Sequence, residues 1–435
     1  MKINTRRSAF LVISEIENKK NPNADTLMEK YHRTLKDPKD RKLFVEIVHG
    51  VLKFKNLLDY YINFVATKGV KDKRILNVLR IATYELMFLD RIPEYATVDE
   101  ACSLVESINK HQKGFVNAVL RNIIRKKDEI EKALERVKET NLKDFLSIKL
   151  SYPKFLIEYL EQSYGLEKTI KILEFLNTKP LQSIKINTKK IDREDFLKKL
   201  ELNGYKYTLA EENSEIVYIL SGNIKDSDLY REGYFYFQDL ASSLVVKWNK
   251  EDFESAGAIL DLCAAPGGKT FNCAEITKGF IISCDVNKSK VDLLRNNLVR
   301  LGFDNVVPAQ SDATILNEDF IDKFDIVIAD LPCAGFGTIR KKPDIKWNKT
   351  LEDIESLHEL QLRILDNAAK YVKDGGIIFY STCTLGHKEN EDTAKDFVKR
   401  HKEFSIVYQK TIFPDEYQCD GFFIAKLRKE GKEEA

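Results

Sequence analysis

The sequence predicts a multidomain chain: an all-α domain over residues 1–140, a helical linker with a small α/β subdomain over 141–245, and a doubly wound α/β domain over 246–430. Two observations carry this division. The first part holds only three glycines and three prolines, and its apolar positions recur at three and four, the period of an amphipathic helix. From Ala258 onward, short apolar runs alternate with longer helical stretches, the rhythm of a mainly parallel sheet covered on both faces.

The helical pattern is clearest over Arg41–Leu58, Arg74–Leu89 and Thr97–Ile108. Pro93 ends one pattern, and Thr97 with Glu100 three positions later reads as an N-cap and capping box. Helical periodicity continues from Leu142 to Leu176 with a break at Pro153. Past Pro180 the pattern gives a strand at Ser183–Asn187, a helix at Arg193–Leu202, and short strands at Ile216–Leu220 and Tyr234–Phe237. The strands expected of the last domain are Ala258–Cys263, Phe280–Asp285, Val306–Gln310, Asp325–Asp330, Gly376–Ser381 and Phe422–Leu427.

Composition excludes several classes. Of 435 residues, 43% are apolar and 32% charged, as in a soluble globular protein. Seven cysteines, an odd number in a long chain, argue against a disulfide framework. The apolar run behind Lys2, Arg6 and Arg7 extends only from Ala9 to Ile13, too short for a secretion signal. No stretch approaches the ~20 apolar residues of a membrane span, so the expectation is a reduced, cytoplasmic protein with no membrane association. The formal charge of +2 conceals an asymmetry: residues 1–140 carry 28 basic and 20 acidic side chains, a net +8, leaving −6 for the remainder. Arg6, Arg7, Lys71, Lys73, Arg74 and Arg125 to Lys127 could grip phosphates collectively, as could Arg340 to Lys342, although any one of them is more simply a solvated surface charge.

In a doubly wound sheet, ligands bind beyond the carboxyl ends of the strands. The first strand runs into Asp261-Leu-Cys-Ala-Ala-Pro-Gly-Gly-Lys-Thr270, where small residues admit a ligand close to the backbone and a new helix offers unpaired N–H groups. It is neither a P-loop, which needs glycine at position 263 where cysteine stands, nor G-x-G-x-x-G, so a nucleoside without a triphosphate fits best. Asp285 ends the second strand, 17 residues past Gly268, and suits ribose hydroxyls; Asp312 ends the third and suits an adenine amino group. The fourth strand ends in Asp330-Leu-Pro-Cys-Ala-Gly-Phe-Gly337 and the fifth in Tyr380-Ser-Thr-Cys-Thr384. One strand-end cysteine is ordinarily a small buried apolar residue, but two on neighbouring strand ends need another explanation. Cys263, Cys273 and Cys284 have no accompanying histidine pair and do not form a zinc pattern; Cys102 and Cys419 are assigned to packing.

Taken in order, these runs resemble the RNA cytosine-C5 methyltransferases. Phe237-Gln-Asp-Leu-Ala-Ser-Ser-Leu244 and Glu389-Asn390-Glu391 resemble two further motifs of that family. RKLFVEIVHGVL, LRIATYELMFL and GFVNAVLRNIIR resemble the NusB-like domain of its RsmB/Sun (Fmu) branch, of which Pro343-Asp-Ile-Lys-Trp347 is also typical. Leu331 and Ala334 stand where the family more often has Ala and Ser, and neither exchange removes a reacting group.

The resemblance implies a NusB-like all-α RNA-binding domain, a small RRM/ferredoxin-like RNA-binding insert, and a Rossmann-like catalytic domain using S-adenosylmethionine and no metal. It implies methylation of C5 of a 16S rRNA cytosine, unpaired or flipped out. The cofactor residues it implies are Cys263, Ala264, Ala265, Pro266, Gly267, Gly268, Lys269, Asp285, Asp312 and Asp330, with Lys269 on the methionine carboxylate. It assigns Cys383 as nucleophile on C6, Cys333 to release of the C5 proton, and Asp330 to N3. The residues alone leave open which thiol attacks, because DNA cytosine methyltransferases use one at the Pro-Cys position. Two other readings stand beside this one: an RNA-binding module with a vestigial methylase, and a methylase acting on tRNA.

Overall fold

Side chains that cap backbone N–H groups start several of the N-terminal helices. Asn4 accepts from Arg7 N at the head of Thr5–Asn18, Asp37 from Lys39 N ahead of Pro38–Val65, and Asp72 from Arg74 N ahead of Lys73–Phe88. The computed structural model describes residues 4–19 and 24–431; Lys2 and the end of the charged C-terminal tail lie outside the described residues. The chain divides into two compact units, Met1–Asn177 with Lys341–Lys349, and Thr178–Arg340 with Thr350–Ala435.

The first unit is helical. The expected helix at Arg41–Leu58 is longer, Pro38–Val65, and breaks at Phe54, whose φ of −111° and ψ of 21° leave the helical region. Thr97 does not cap a helix. Glu94–Asn109 begins three residues earlier behind Pro93, and the Thr97 hydroxyl instead donates to buried Glu85 at 3.1 Å. Proline at this junction outcompetes the threonine, since it sets the extended backbone that precedes a helix.

The second unit holds two sheets. The insert has strands β1 (Gln182–Ile186), β2 (Lys206–Leu209), β3 (Ile216–Ser221) and β4 (Phe235–Phe237), antiparallel in the order β2-β3-β1-β4. The larger sheet has β5 (Ala258–Asp261), β6 (Phe280–Asp285), β7 (Val306–Gln310), β8 (Phe324–Asp330), β9 (Val372–Thr382), β10 (Phe404–Ile412) and β11 (Phe422–Lys429). Its order is β10-β11-β9-β8-β5-β6-β7, parallel from β9 to β7, with β11 and β10 antiparallel at one edge. Sequence periodicity missed two strands, β2 and β10. β10 lies at an edge, with only its end residues Phe404 and Ile412 buried, and carries Ser405, Gln409 and Lys410, so it lacks a continuous apolar run.

Alternate residues of the central strands feed separate cores. Ile259, Ile328 and Phe379 pack with Phe271 and Leu294 on one face, and Leu260, Val327 and Tyr380 with Leu362 and Phe397 on the other. The parallel pairing Asp330↔Ser381 sets the ends of β8 and β9 level, so the loops that leave them emerge side by side.

Candidate active site

The turn after β5 is built for close approach. Gly267 has φ +116°, and a Cβ there would meet the Phe271 ring at 2.2 Å, so only glycine fits. The helix Gly268–Ile276 follows, and its first amides have no partner within the helix. Ala264 N donates to Cys284 O at 2.8 Å, tying the turn to the end of β6.

A cleft of about 190 Å³ opens above this turn. Asp261, Cys263, Ala264, Ala265, Pro266, Gly268, Lys269 and Asp330 line it, together with Phe237, Gln238, Asp239 and Ser242. Seven of the cofactor positions inferred from sequence therefore converge, with Gly267 supporting the turn from behind. Asp285 and Asp312 lie outside the cleft lining. Asp285, almost fully buried, accepts from Asn287 N at 2.9 Å, with Lys290 Nζ 3.5 Å away. Asp312 accepts from the Thr314 hydroxyl at 2.6 Å and its amide at 2.9 Å, and these bonds hold its carboxyl below the usual carboxylate range.

Lys269 is buried, and its ammonium donates to Asp330 Oδ2 at 2.6 Å and Ser242 Oγ at 2.9 Å, above the Phe422 ring. The other Asp330 oxygen accepts from Ser381 Oγ at 2.8 Å. One carboxylate thus joins the turn after β5 to the ends of β8 and β9. Burial raises the Asp261 carboxyl to about 7, against the opposing hydrogen bond from Thr270 Oγ1 at 2.8 Å.

The two strand-end thiols meet. Cys333 Sγ and Cys383 Sγ are 3.4 Å apart, both partly buried. The hydrogen bond with Cys383, followed by desolvation, pushes the Cys333 thiol well up. The loop carrying Cys333 is held on both sides: Pro332 O accepts from Gln361 Nε2 at 2.9 Å, and Ala334 N donates to Glu389 Oε1 at 2.8 Å. Gln361 and Glu389 also bond each other at 3.3 Å. Beyond the loop, Gly337 N donates to Cys383 O at 3.1 Å. Cys102, Cys273, Cys284 and Cys419 are buried.

Sequence reasoning did not single out Ser242, Gln238 or Gln361. The first two lie in Phe237–Leu244, whose position before β5 gave only a motif; Gln361 is one polar residue in an amphipathic helix, Leu351–Tyr371, with nothing local to mark it. Among the basic residues expected to face phosphates, Arg6 and Arg340 are corrected. Arg6 turns inward to bond Glu85 at 2.8 Å, and Arg340 is 5% exposed.

A family model described as 16S rRNA methyltransferase RsmB/F matches residues 248–428, the NusB family model matches 3–125, and an RsmF/B-like ferredoxin-like domain model matches 152–223. The probable ribosomal RNA small subunit methyltransferase B of Bacillus subtilis is 33% identical over 419 residues, 90% of this chain and 91% of that protein. The chain belongs to the RsmB/F family of rRNA small subunit methyltransferases. The Escherichia fergusonii enzyme is 29% identical over 411 residues, with 90% and 91% covered. Among solved structures, that of PH0851 aligns with 99% of this chain and 100% of its own at TM-score 0.77 and 25% identity. The structure of NSun6 from Pyrococcus horikoshii with SFG aligns over 64% of this chain and 98% of its own, at TM-score 0.58 and 25% identity.

RsmB/F enzymes are dependent on S-adenosylmethionine, and the cleft here fits that cofactor chemically. Helix-start amides and the Lys269 ammonium suit a carboxylate, and the small residues of the turn admit a close ligand. Among the described residues there is no group of three or more side chains able to hold a metal ion, and no helix long and apolar enough to cross a membrane.

Proposed function

We propose that this RsmB/F enzyme methylates C5 of an unpaired or flipped-out cytosine in 16S rRNA through a covalent adduct between Cys383 and C6. The observation that carries the reading is the 3.4 Å approach of two thiols beside Asp330. In support of the substrate stand the RsmB/F family model and the relatives' description as small-subunit rRNA methyltransferases. S-adenosylmethionine, when bound, supplies an electrophilic methyl group.

C5 of cytosine is a weak nucleophile until C6 is attacked. Attack on C6 needs a thiolate, and the resemblance to the RNA cytosine-C5 methyltransferases assigns that step to Cys383. As the Cys383 S–C6 bond forms, the C5=C6 electron pair shifts to C5 and would form the bond to the methyl group that S-adenosylmethionine supplies, with Asp330 in contact with N3. Cys333, as a thiolate, then takes the C5 proton, and the C5–H electron pair re-forms the double bond and expels the Cys383 thiolate. Cys263 to Lys269 hold the cofactor in this reading, with Asp285 on the ribose and Asp312 near adenine. Reaction on both ring faces requires an unstacked base. The helical unit and the insert then contribute contacts to the surrounding RNA.

The test is methyl transfer to purified rRNA with mapping of the modified atom, and capture of 5-fluorocytosine RNA. Cys383→Ala is expected to abolish both, and Cys333→Ala to accumulate the protein–RNA adduct. The opposite pattern would exchange the two roles.

A further inference from the structure

Residues 341–349 leave the catalytic unit and belong to the helical one. Their seat there is the break in the helix Pro38–Val65. In an unbroken helix Leu52 O would accept from Asn56 N, and Lys53 O from Leu57 N. Here Asn56 N donates to Ser151 Oγ at 2.8 Å, Leu52 O accepts from Trp347 Nε1 at 2.6 Å, and Lys53 O accepts from Lys346 Nζ at 2.6 Å. Lys346 is fully buried, its amine 4.0 Å from the centre of the Tyr152 ring. Burying a lysine head in this way costs several kcal/mol unless hydrogen bonds and a ring face replace its water. A short crossover has no need of it, since Leu or Met would pack there at lower cost.

The seated strap joins two stretches that hold Cys333. Its leading end is Arg340, three residues beyond Gly337, which bonds Cys383 O. Its trailing end is Thr350, which caps Leu351–Tyr371 with a capping box; that helix carries Gln361, bonded to Pro332 O. Slack between 341 and 349 therefore reaches Cys333 from both directions along the chain.

We propose that Lys346 and Trp347 are positioning residues for the catalytic loop: by seating the strap in the helix break they hold both chain ends that frame Cys333. The inference rests on Cys333 belonging to the reacting site. It makes the break at Phe54, which seats the strap, a functional feature of the helical unit.

The test compares Lys346→Met and Trp347→Phe, which remove one donor each and keep bulk, with Ser151→Ala, which removes a partner at the same break without touching the strap. In the full-length enzyme at saturating cofactor and rRNA, both strap variants are expected to lose about tenfold or more in kcat, the scale of a small misplacement of reacting groups. KM for S-adenosylmethionine and the kcat of Ser151→Ala should stay within about twofold, well under 1 kcal/mol. Amide exchange supplies a readout independent of turnover: Ala334, Phe336 and Gly337 should exchange faster in the strap variants and unchanged in Ser151→Ala. Trp347→Phe preserves an aromatic ring and decides the matter if Lys346→Met does not fold. Unchanged kcat and exchange in the strap variants, or equal losses in Ser151→Ala, would overturn the proposal. Mapping the base methylated by the unaltered enzyme tests the C5 reading separately, because the rate comparison holds for whichever atom accepts the methyl group.

Discussion

Lys269 Nζ and Asp330 Oδ2 lie 2.6 Å apart although 61 positions separate them, and this pair joins the cofactor turn to the strand end that carries the first thiol. Asp330→Asn keeps the volume but leaves the Lys269 ammonium buried beside a neutral amide. Breaking a fully buried pair costs roughly 3–5 kcal/mol; with Asp330 about one-third exposed, a loss of about 2 kcal/mol is expected. Activity should fall much further than stability, by about 100-fold or more, if the same carboxylate contacts the base as proposed. Urea unfolding and methyl transfer at saturating cofactor measure the two effects. A variant as active as the parent would remove Asp330 from the reaction.

Gly337 packs backbone to backbone against Gly421. Each N–H bonds a nearby carbonyl, Gly337 N to Cys383 O at 3.1 Å and Gly421 N to Gly337 O at 3.0 Å. A Cβ on Gly337 would fall 1.9 Å from Gly421 O, a clash with main chain that no rotamer relieves. Gly337→Ala is therefore expected to destabilise the protein by about 3 kcal/mol and to disturb the thiol register. Gly421→Ala meets mainly the Leu385 side chain, at 2.9 Å, and should cost less. Thermal melts of the pair rank them, and a milder Gly337→Ala would contradict the packing.

What the sequence made legible follows from what local pattern encodes. The central parallel strands β5, β8 and β9 announce themselves as apolar runs ending in candidate site residues, because strands buried on both faces need no polar alternation. The two thiols could be paired from the rule that strand ends share one rim. β10 escapes periodicity since one of its faces meets solvent, and Thr97 does not cap because Pro93, which ends one pattern, also starts the next helix three residues ahead of it. Gln361, the Lys269–Asp330 bond and the seat of Lys346 depend on contacts made only after folding, between residues whose neighbours in sequence say nothing about them.

Arg6 sits in the basic N-terminal part, yet its side-chain hydrogen bonds run to Glu85, itself 1% exposed and also bonded to Thr97. Arg6→Ala should act on folding and not on RNA. The expected loss is about 3 kcal/mol, from a carboxylate left buried with one hydroxyl partner. The salt dependence of RNA affinity should keep its slope. Replacing exposed Arg125 and Lys127 by alanine should do the reverse, lowering the slope of log affinity against log salt by about 1 for each phosphate that is no longer neutralised, while melts stay close to the parent. A steep parental slope that survives the double substitution would move the RNA-binding surface elsewhere.

Asp261 gives a pH signature. Burial raises its carboxyl to about 7 in the folded protein, while in the unfolded chain it ionises near ~3.9. Between those values the folded state binds a proton that the unfolded state has released, so stability falls as pH rises through the window, and the full cost is present above about 7. Asp261→Asn stays neutral throughout and keeps an oxygen for the Thr270 hydroxyl. Measured without cofactor, the variant should be nearly as stable as the parent at pH 4 and gain on it steadily to about pH 7, by an amount on the order of a few kcal/mol. It should nevertheless lose activity, because Asp261 lines the cofactor cleft and an amide there cannot supply the acceptor pair of a carboxylate. A stability difference that is flat from pH 5 to 8 would mean that Asp261 is already ionised in the folded protein and balanced by the Lys269 ammonium nearby.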